Sequence, residues 1–327
     1  MKAAIIASIF VTLGAVLQGA GTSNTLGALG MIDALAGSFT VALAAGFTVF
    51  VMTKNSLPVS TTQAIVGAII GWNLFAGKET DLTILTQIVS TWITGPILGA
   101  LFSALLYLLM RRILRKKQIH VINLDTYIRW GLIIVGAFGA YSLGANNIAN
   151  VVGVFLSAAP NIIIDLGLFT LDGTQLLFLA GGLAISLGIF TYSKKIIMTV
   201  GKGIMPLSAE GAIVVVLAQA IVLFLFSSQS FSDLLSVIGL PRIPMVPVSS
   251  SQVIIGSVLG IGLVKGVQEI QFKTIGGIAL GWVFTPIIAG LLSFFTLFFM
   301  QNVFDQSVYS EKNVIKTEIT IPAQIES

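Results

Sequence analysis

The chain has no cysteine and one histidine in 327 residues, and only 9% of its residues carry charge. The lack of thiols excludes disulfides, thiol nucleophiles and Cys/His metal sites. The one imidazole, His120, follows Arg111, Arg112, Arg115, Lys116 and Lys117 in a polar stretch, where solvation accounts for it. A hydrolase working at membrane depth needs a nucleophile and a base within reach of each other, and no imidazole stands at that depth, so no enzyme is expected. The net charge of +4 comes largely from the same basic cluster. It reads as a cytoplasmic segment by the positive-inside rule and not as a nucleic-acid surface.

What the chain has in quantity is apolar sequence, 56% of residues with a mean hydropathy of +1.00. Runs near helix-spanning length recur from Ala3 to Met300, which predicts an all-α, polytopic transmembrane helical bundle in a lipid bilayer. The expected spans are 3–20, 34–53, 84–110, 127–160, 175–193, 208–227 and 275–300, with re-entrant or broken-helix elements at 58–76 and 247–264. Residues 301–327 read as a polar tail. Met1 and Lys2 before an apolar run resemble a secretory leader, but the run has a counterpart later in the chain.

That counterpart belongs to an internal duplication. Pro58–Gly71, PVSTTQAIVGAIIG, returns as Pro247–Gly260, PVSSSQVIIGSVLG. An offset of 174 residues lays Leu13-Gly14 on Leu187-Gly188, Thr25 on Thr199 and Gly37 on Gly211. After an insertion near Gln229–Ile243 the offset becomes 189, and one more residue brings Trp92 and Pro96 onto Trp282 and Pro286. The predicted organisation is an N-terminal repeat (1–110), a basic linker (111–126), a C-terminal repeat (127–300) and the tail. Duplicated interrupted helices point to a secondary transporter with its site between the halves.

Hydroxyls inside apolar sequence are costly unless used. Pro-Val-Ser-Thr-Thr opening a short apolar stretch suits a half-helix start, where free N–H groups and the positive dipole end favour an anion. Ser60, Thr61, Thr62, Ser249, Ser250 and Ser251 are therefore the candidate anion ligands, with helix capping as the plainer role. Gly144–Asn150, GANNIAN, puts three amides into the segment 127–160. Amides at membrane depth must meet a cavity, a helix or an ion. Asn146, Asn147 and Asn150 are candidates for a cation path, flanked by Gln63 and Gln252, which could equally join helices. Trp92 and Trp282 read as packing or interfacial aromatics, Glu210 as a helix-entry residue, and Lys194, Lys195 and Lys202 as surface groups.

GANNIAN differs from the GANDVAN-type signature of the PiT inorganic phosphate transporters only at Asn147 and Ile148, and PVSTTQ and PVSSSQ are similar to that family's paired PVSTTH-type elements. Lys194–Glu210 also resembles the family's stretch between the second and third helices of its C-terminal repeat. The resemblance implies transport of phosphate, or in some branches sulfate, driven by Na⁺ or H⁺, with no other cofactor or metal. The implied location is the plasma membrane, with self-association into a homo-oligomer left open. Two departures stand out. The partner of Gly144–Asn150 would fall before Met1, so the chain is expected to lack the first helix and its motif. Asn147 stands where the family has Asp, and an amide neither titrates nor supplies a charge, which puts the coupling in question. A non-transporting anion-binding relative is the alternative. Span counting also leaves a puzzle, because four crossings in the second copy do not make an inverted pair.

Overall fold

A computed structural model describes residues 1–55, 57–116, 120–165, 167, 170–191, 204–267 and 270–310. Its helices are α1 (Lys2–Gln18), α2 (Ala20–Gly30), α3 (Leu35–Lys54), α4 (Thr61–Ala76), α5 (Leu82–Lys116) and α6 (Val121–Val152), the last extended by a 3-10 turn over Gly153–Ala158. After an exposed antiparallel hairpin, β1 (Ile163–Asp165) with β2 (Thr170–Asp172), come α7 (Gly173–Thr191), α8 (Ala209–Ser227), α9 (Gln229–Val237), α10 (Ser250–Lys265) and α11 (Phe272–Asn302). Among the described residues six helices are long and apolar enough to cross a membrane, or seven if α1 and α2, bent by 66°, form one span. The expected spans each find their helix within a few residues. Lys194, Lys195 and Lys202 lie outside the described residues.

Three differences have physical reasons. The polar run after Gly19 is helical because its hydroxyls find carbonyls on other elements: Thr22 donates to Ala145 at 3.0 Å and Thr25 to Met245. The arginines expected in a linker form the last turns of α5, where cations favour the helix C-terminus. The start of the tail is anchored. Trp72 donates to the Val308 carbonyl at 2.9 Å, and the Ser310 N–H bonds Asp33.

The two short helices are apolar on every side, which suits burial within protein. Each packs on the last helix of the opposite repeat. A Cβ on Gly67 of α4 would strike the Pro286 carbonyl of α11, and one on Gly256 of α10 would strike the Pro96 carbonyl of α5. One turn further on, Gly71 abuts Gly290 and Gly260 abuts Ala100. These four contacts are two pairs of repeat equivalents, so the repeats exchange their short helices about a two-fold axis.

The orientation of that axis follows from α1 and α7. Ser186 Oγ lies 3.3 Å from Thr12 Oγ1, its own repeat equivalent, and donates to the Ser8 carbonyl at 3.3 Å. A Cβ on Gly182, the equivalent of Ser8, would come within 3.1 Å of Thr12 Cα. Residues 8 and 12 thus meet 186 and 182 in reverse order, and equivalent spans run antiparallel. The repeats are inverted. The span count closes once α4 and α10 are counted. Each has 16 residues, about 24 Å of helix against an about 30 Å core, and each starts inside the bundle, where Thr62 Oγ1 lies 3.5 Å from the Val248 carbonyl. Counted as a broken crossing, each element gives the second copy five crossings, α6, α7, α8, α10 and α11, the odd number that an inverted pair needs. The basic end of α5, the start of α6, the start of α8 and the end of α10 then share one face.

Candidate functional site

Because the broken crossings enter from opposite faces, the N-termini of α4 and α10 point toward each other inside the bundle. Ser60 and Ser249 are their N-caps. Ser60 Oγ accepts from the Gln63 N–H at 3.2 Å and Ser249 Oγ from the Gln252 N–H at 3.4 Å. Both hydroxyl oxygens are buried and engaged, so the capping role holds for these two. The next residues, Thr61, Thr62, Ser250 and Ser251, have backbone N–H groups ahead of the first intrahelical bond. Their positive dipole ends converge with the hydroxyls.

The asparagines of α6 tie the two elements together. Asn146 clasps the residue before the second triplet, donating to the Val248 carbonyl at 2.7 Å and accepting its N–H at 2.8 Å. Asn147 donates to Ser250 Oγ at 3.3 Å. Asn150 donates to Thr61 Oγ1 at 3.1 Å and Thr62 Oγ1 at 3.0 Å. Thr62 Oγ1 in turn lies 3.5 Å from the Val248 carbonyl. Thus Thr61, Thr62, Ser250, Asn146, Asn147 and Asn150 bond a residue of another candidate segment, whereas the bonds of Ser60, Ser249 and Ser251 stay within their own. Ser251 Oγ lies 3.3 Å from Ser249 Oγ.

The two glutamines stand apart for another reason. Gln63 Oε1 and Gln252 Oε1 are buried without a hydrogen-bond partner among the described residues, as is Asn150 Oδ1. Unpaired buried carbonyl oxygens are costly, and each is a neutral oxygen of the kind that a hard cation accepts. No group of three or more carboxylates or imidazoles occurs among the described residues.

Sequence reasoning missed Gln219, whose Nε2 donates to the Ser250 carbonyl at 3.3 Å. The signal was there, a lone amide within the apolar span of α8. It read Trp282 as a packing or interfacial aromatic, and the indole, 3.4 Å from the Pro58 carbonyl, also donates to it. A separate cavity of about 540 Å³ opens near the end of α2, lined by residues that include Asn24, Asp33, Lys78 and Ser157 but none of the hydroxyl triplets. Burial raises the pKa of Asp33 there, but the Ser310 N–H and Lys78, 3.1 Å away, outweigh it and hold the carboxyl below its usual value.

Comparison with known proteins gives these features a context. The phosphate transporter family matches residues 1–126, 115–293 and 240–323. "Putative phosphate permease MJ0630" of Methanocaldococcus jannaschii is 26% identical over 74% of this chain and 68% of its own length. "Sulfate permease CysP" of Bacillus subtilis is 27% identical over 89% of this chain and 75% of its own. A solved structure titled "The sodium-dependent phosphate transporter" superposes with a TM-score of 0.70 at 21% identity, covering 92% of this chain and 90% of that one, which bears on the fold alone. Expectation from motifs, inverted architecture and family match agree: this integral, multi-pass membrane protein belongs to the phosphate transporter family.

Proposed function

We propose that the protein is a secondary transporter of inorganic phosphate in the plasma membrane, working by alternating access between the repeats 1–110 and 127–300. The anion would sit between the N-termini of α4 and α10, held by Thr61, Thr62, Ser250 and Ser251, with Ser60 and Ser249 fixing the helix starts. The observation that carries this reading is the meeting of both hydroxyl triplets on Asn147 and Asn150. Two helix N-termini with hydroxyl donors favour an oxyanion, and their approach from opposite faces suits rocking about a fixed site. As the halves part, the hydroxyls leave the amides and become free to donate to the substrate.

Na⁺ is the preferred driving ion. Gln63 Oε1, Gln252 Oε1 and Asn150 Oδ1 offer unpaired oxygens, while Asn147 cannot carry a proton. Proteoliposomes holding the full chain should take up labelled phosphate saturably, faster with an inward Na⁺ gradient than with choline. Binding without flux would instead assign the protein to the non-transporting alternative.

Sulfate is the second reading, favoured by the neutral site. Phosphate at neutral pH keeps a proton that a carboxylate would accept well, whereas sulfate has none to place. Similarity to a sulfate permease points the same way. Sulfate that competes with phosphate uptake more strongly than phosphate itself would decide for it.

A further inference from the structure

At the face where α5 ends, an apolar groove of about 370 Å³ runs between α5, α6 and α8, lined by Leu109, Ile113, Tyr127, Ile128 and Ile213 among others. A second hollow of about 260 Å³ shares Met110, Leu114 and Glu210 with it and is closed by Tyr107, Arg111, Arg115 and Ser208. The two form one feature, an apolar slot with a basic mouth. We propose that it is a binding site for an anionic phospholipid, with one acyl chain in the slot and the phosphate at Arg111 and Arg115.

Depth, charge and shape support this assignment independently of the transport site. The 35 residues of α5 measure about 52 Å, more than the about 30 Å of hydrocarbon, so its terminal arginines stand at headgroup level. Tyr127 and Trp130, 63% and 62% exposed, mark the same interface on α6. Arg111 and Arg115 are one turn apart on α5, and among the described residues neither is ion-paired. Lys265, at the end of α10, places its ammonium 5.7 Å from the Tyr107 ring, adding a third cation against the single carboxylate of Glu210. The N-terminus of α8 opens into the mouth as well, with Ser208 capping Gly211 at 3.2 Å.

The mouth selects among lipids. Two guanidiniums meet a phosphodiester as fork donors, and Glu210 can accept from a hydroxylated headgroup such as glycerol. Phosphatidylglycerol fits both demands. Choline offers no hydrogen-bond donor, and a free phosphate would leave the apolar slot unused. The basic face is the cytoplasmic one by the positive-inside rule, and anionic lipids of that leaflet are drawn to such pockets between helices.

The test uses the full chain, purified in detergent, stripped of lipid and mixed with equimolar phosphatidylglycerol, phosphatidylethanolamine and phosphatidylcholine, with retained lipid counted by native mass spectrometry. One phosphatidylglycerol should be retained in preference to phosphatidylcholine by roughly 30-fold, the worth of two arginines near an anionic headgroup. The pair R111Q/R115Q should remove that preference while leaving weak retention of phosphatidylcholine unchanged. Ile128→Trp, which fills the slot, should lower phosphatidylglycerol retention with the arginines intact. The single variant Arg111→Gln, on an exposed helix end, serves if either of the others misfolds. Equal retention of the three lipids, or unchanged preference in R111Q/R115Q, overturns the proposal. Displacement of the lipid by millimolar inorganic phosphate also overturns it, because the arginines would then be a free-anion site.

Discussion

Gly14 of α1 and Gly188 of α7 are repeat equivalents, yet a Cβ on the first would strike the Tyr141 carbonyl of α6 while the second faces open space among the described residues. The same asymmetry reaches the site. α4 and α10 exchange partners symmetrically, but both of their hydroxyl triplets lean on asparagines from α6 alone. Duplication thus fixed the backbone plan, and among the described residues α6 carries the amides that both halves use. Side chains that hold the repeats together should tolerate change equally in the two copies. Those that touch α6 should not.

The largest expected effect tests that contrast directly. Gly14→Ala should lower stability by about 3 kcal/mol, because its methyl meets backbone that cannot yield cheaply. Gly188→Ala should stay within about 0.5 kcal/mol or gain slightly from helix propensity. Thermal unfolding of both in one detergent decides it, and equal losses would contradict the asymmetry.

Next come the hydroxyls, where the repeats should behave alike. Thr61→Ala and Ser250→Ala should each weaken phosphate binding by about 1.5–3 kcal/mol, the worth of a hydrogen bond to a charged group. Calorimetry on folded variants measures this. A loss in one alone would assign the anion to one helix end, and a loss in neither would remove it from the site.

Asn147→Asp sharpens the comparison from the α6 side. A carboxylate supplies a charge to a cation that an amide cannot, so apparent Na⁺ affinity in uptake should rise by about 10-fold, worth about 1.4 kcal/mol. Comparing uptake by wild type and variant across Na⁺ concentrations, with choline as replacement, reads it out. Indifference of both to Na⁺ would separate α6 from cation binding.

Much of this plan was legible in the residues, for identifiable reasons. Lipid demands long apolar helices, so spans such as 34–53 and 208–227 declared themselves by hydropathy. The broken crossings declared themselves through the repeated Pro-Val-Ser. What stayed hidden depended on partners distant in sequence. The polar run 20–30 gave no apolar signal, and its helix rests on carbonyls of Ala145 and Met245. The direction of α10 was legible only once Gly256 was seen against Pro96. In the site, the two caps and the four remaining hydroxyls carry one sequence signature, and only geometry separates them.

The indoles offer a subtler asymmetry. Trp282 donates to the Pro58 carbonyl, while Trp92 Nε1 is buried without a hydrogen-bond partner among the described residues. Trp282→Phe should therefore cost about 1 kcal/mol beyond the packing change common to both, and Trp92→Phe should lose no such bond. If the two variants melt together, the contact to Pro58 contributes nothing.

The smallest effect concerns the loops that close the short helices. In the first repeat, Asp33 and Lys78 are joined at 3.1 Å, whereas their equivalents in the second are Leu207 and Val267. Both charged side chains are about a third exposed, 29% and 33%, so the pair is worth at most about 1 kcal/mol. Burial raises the pKa of Asp33, but the Ser310 N–H and Lys78 hold it below the ordinary carboxylate value of 3.8. A lowered folded-state pKa means the contribution is full above the unfolded value and fades as pH falls through the lowered one. Melting temperatures of wild type and Asp33→Asn should therefore differ at neutral pH and converge only in strong acid, below the ordinary carboxylate range. Leu207→Ala, at the equivalent place in the other repeat, should show a difference from wild type that the same titration leaves unchanged. A gap between wild type and Asp33→Asn that persists in strong acid would mean that Asp33 acts through packing, and the two loops would then be alike in kind.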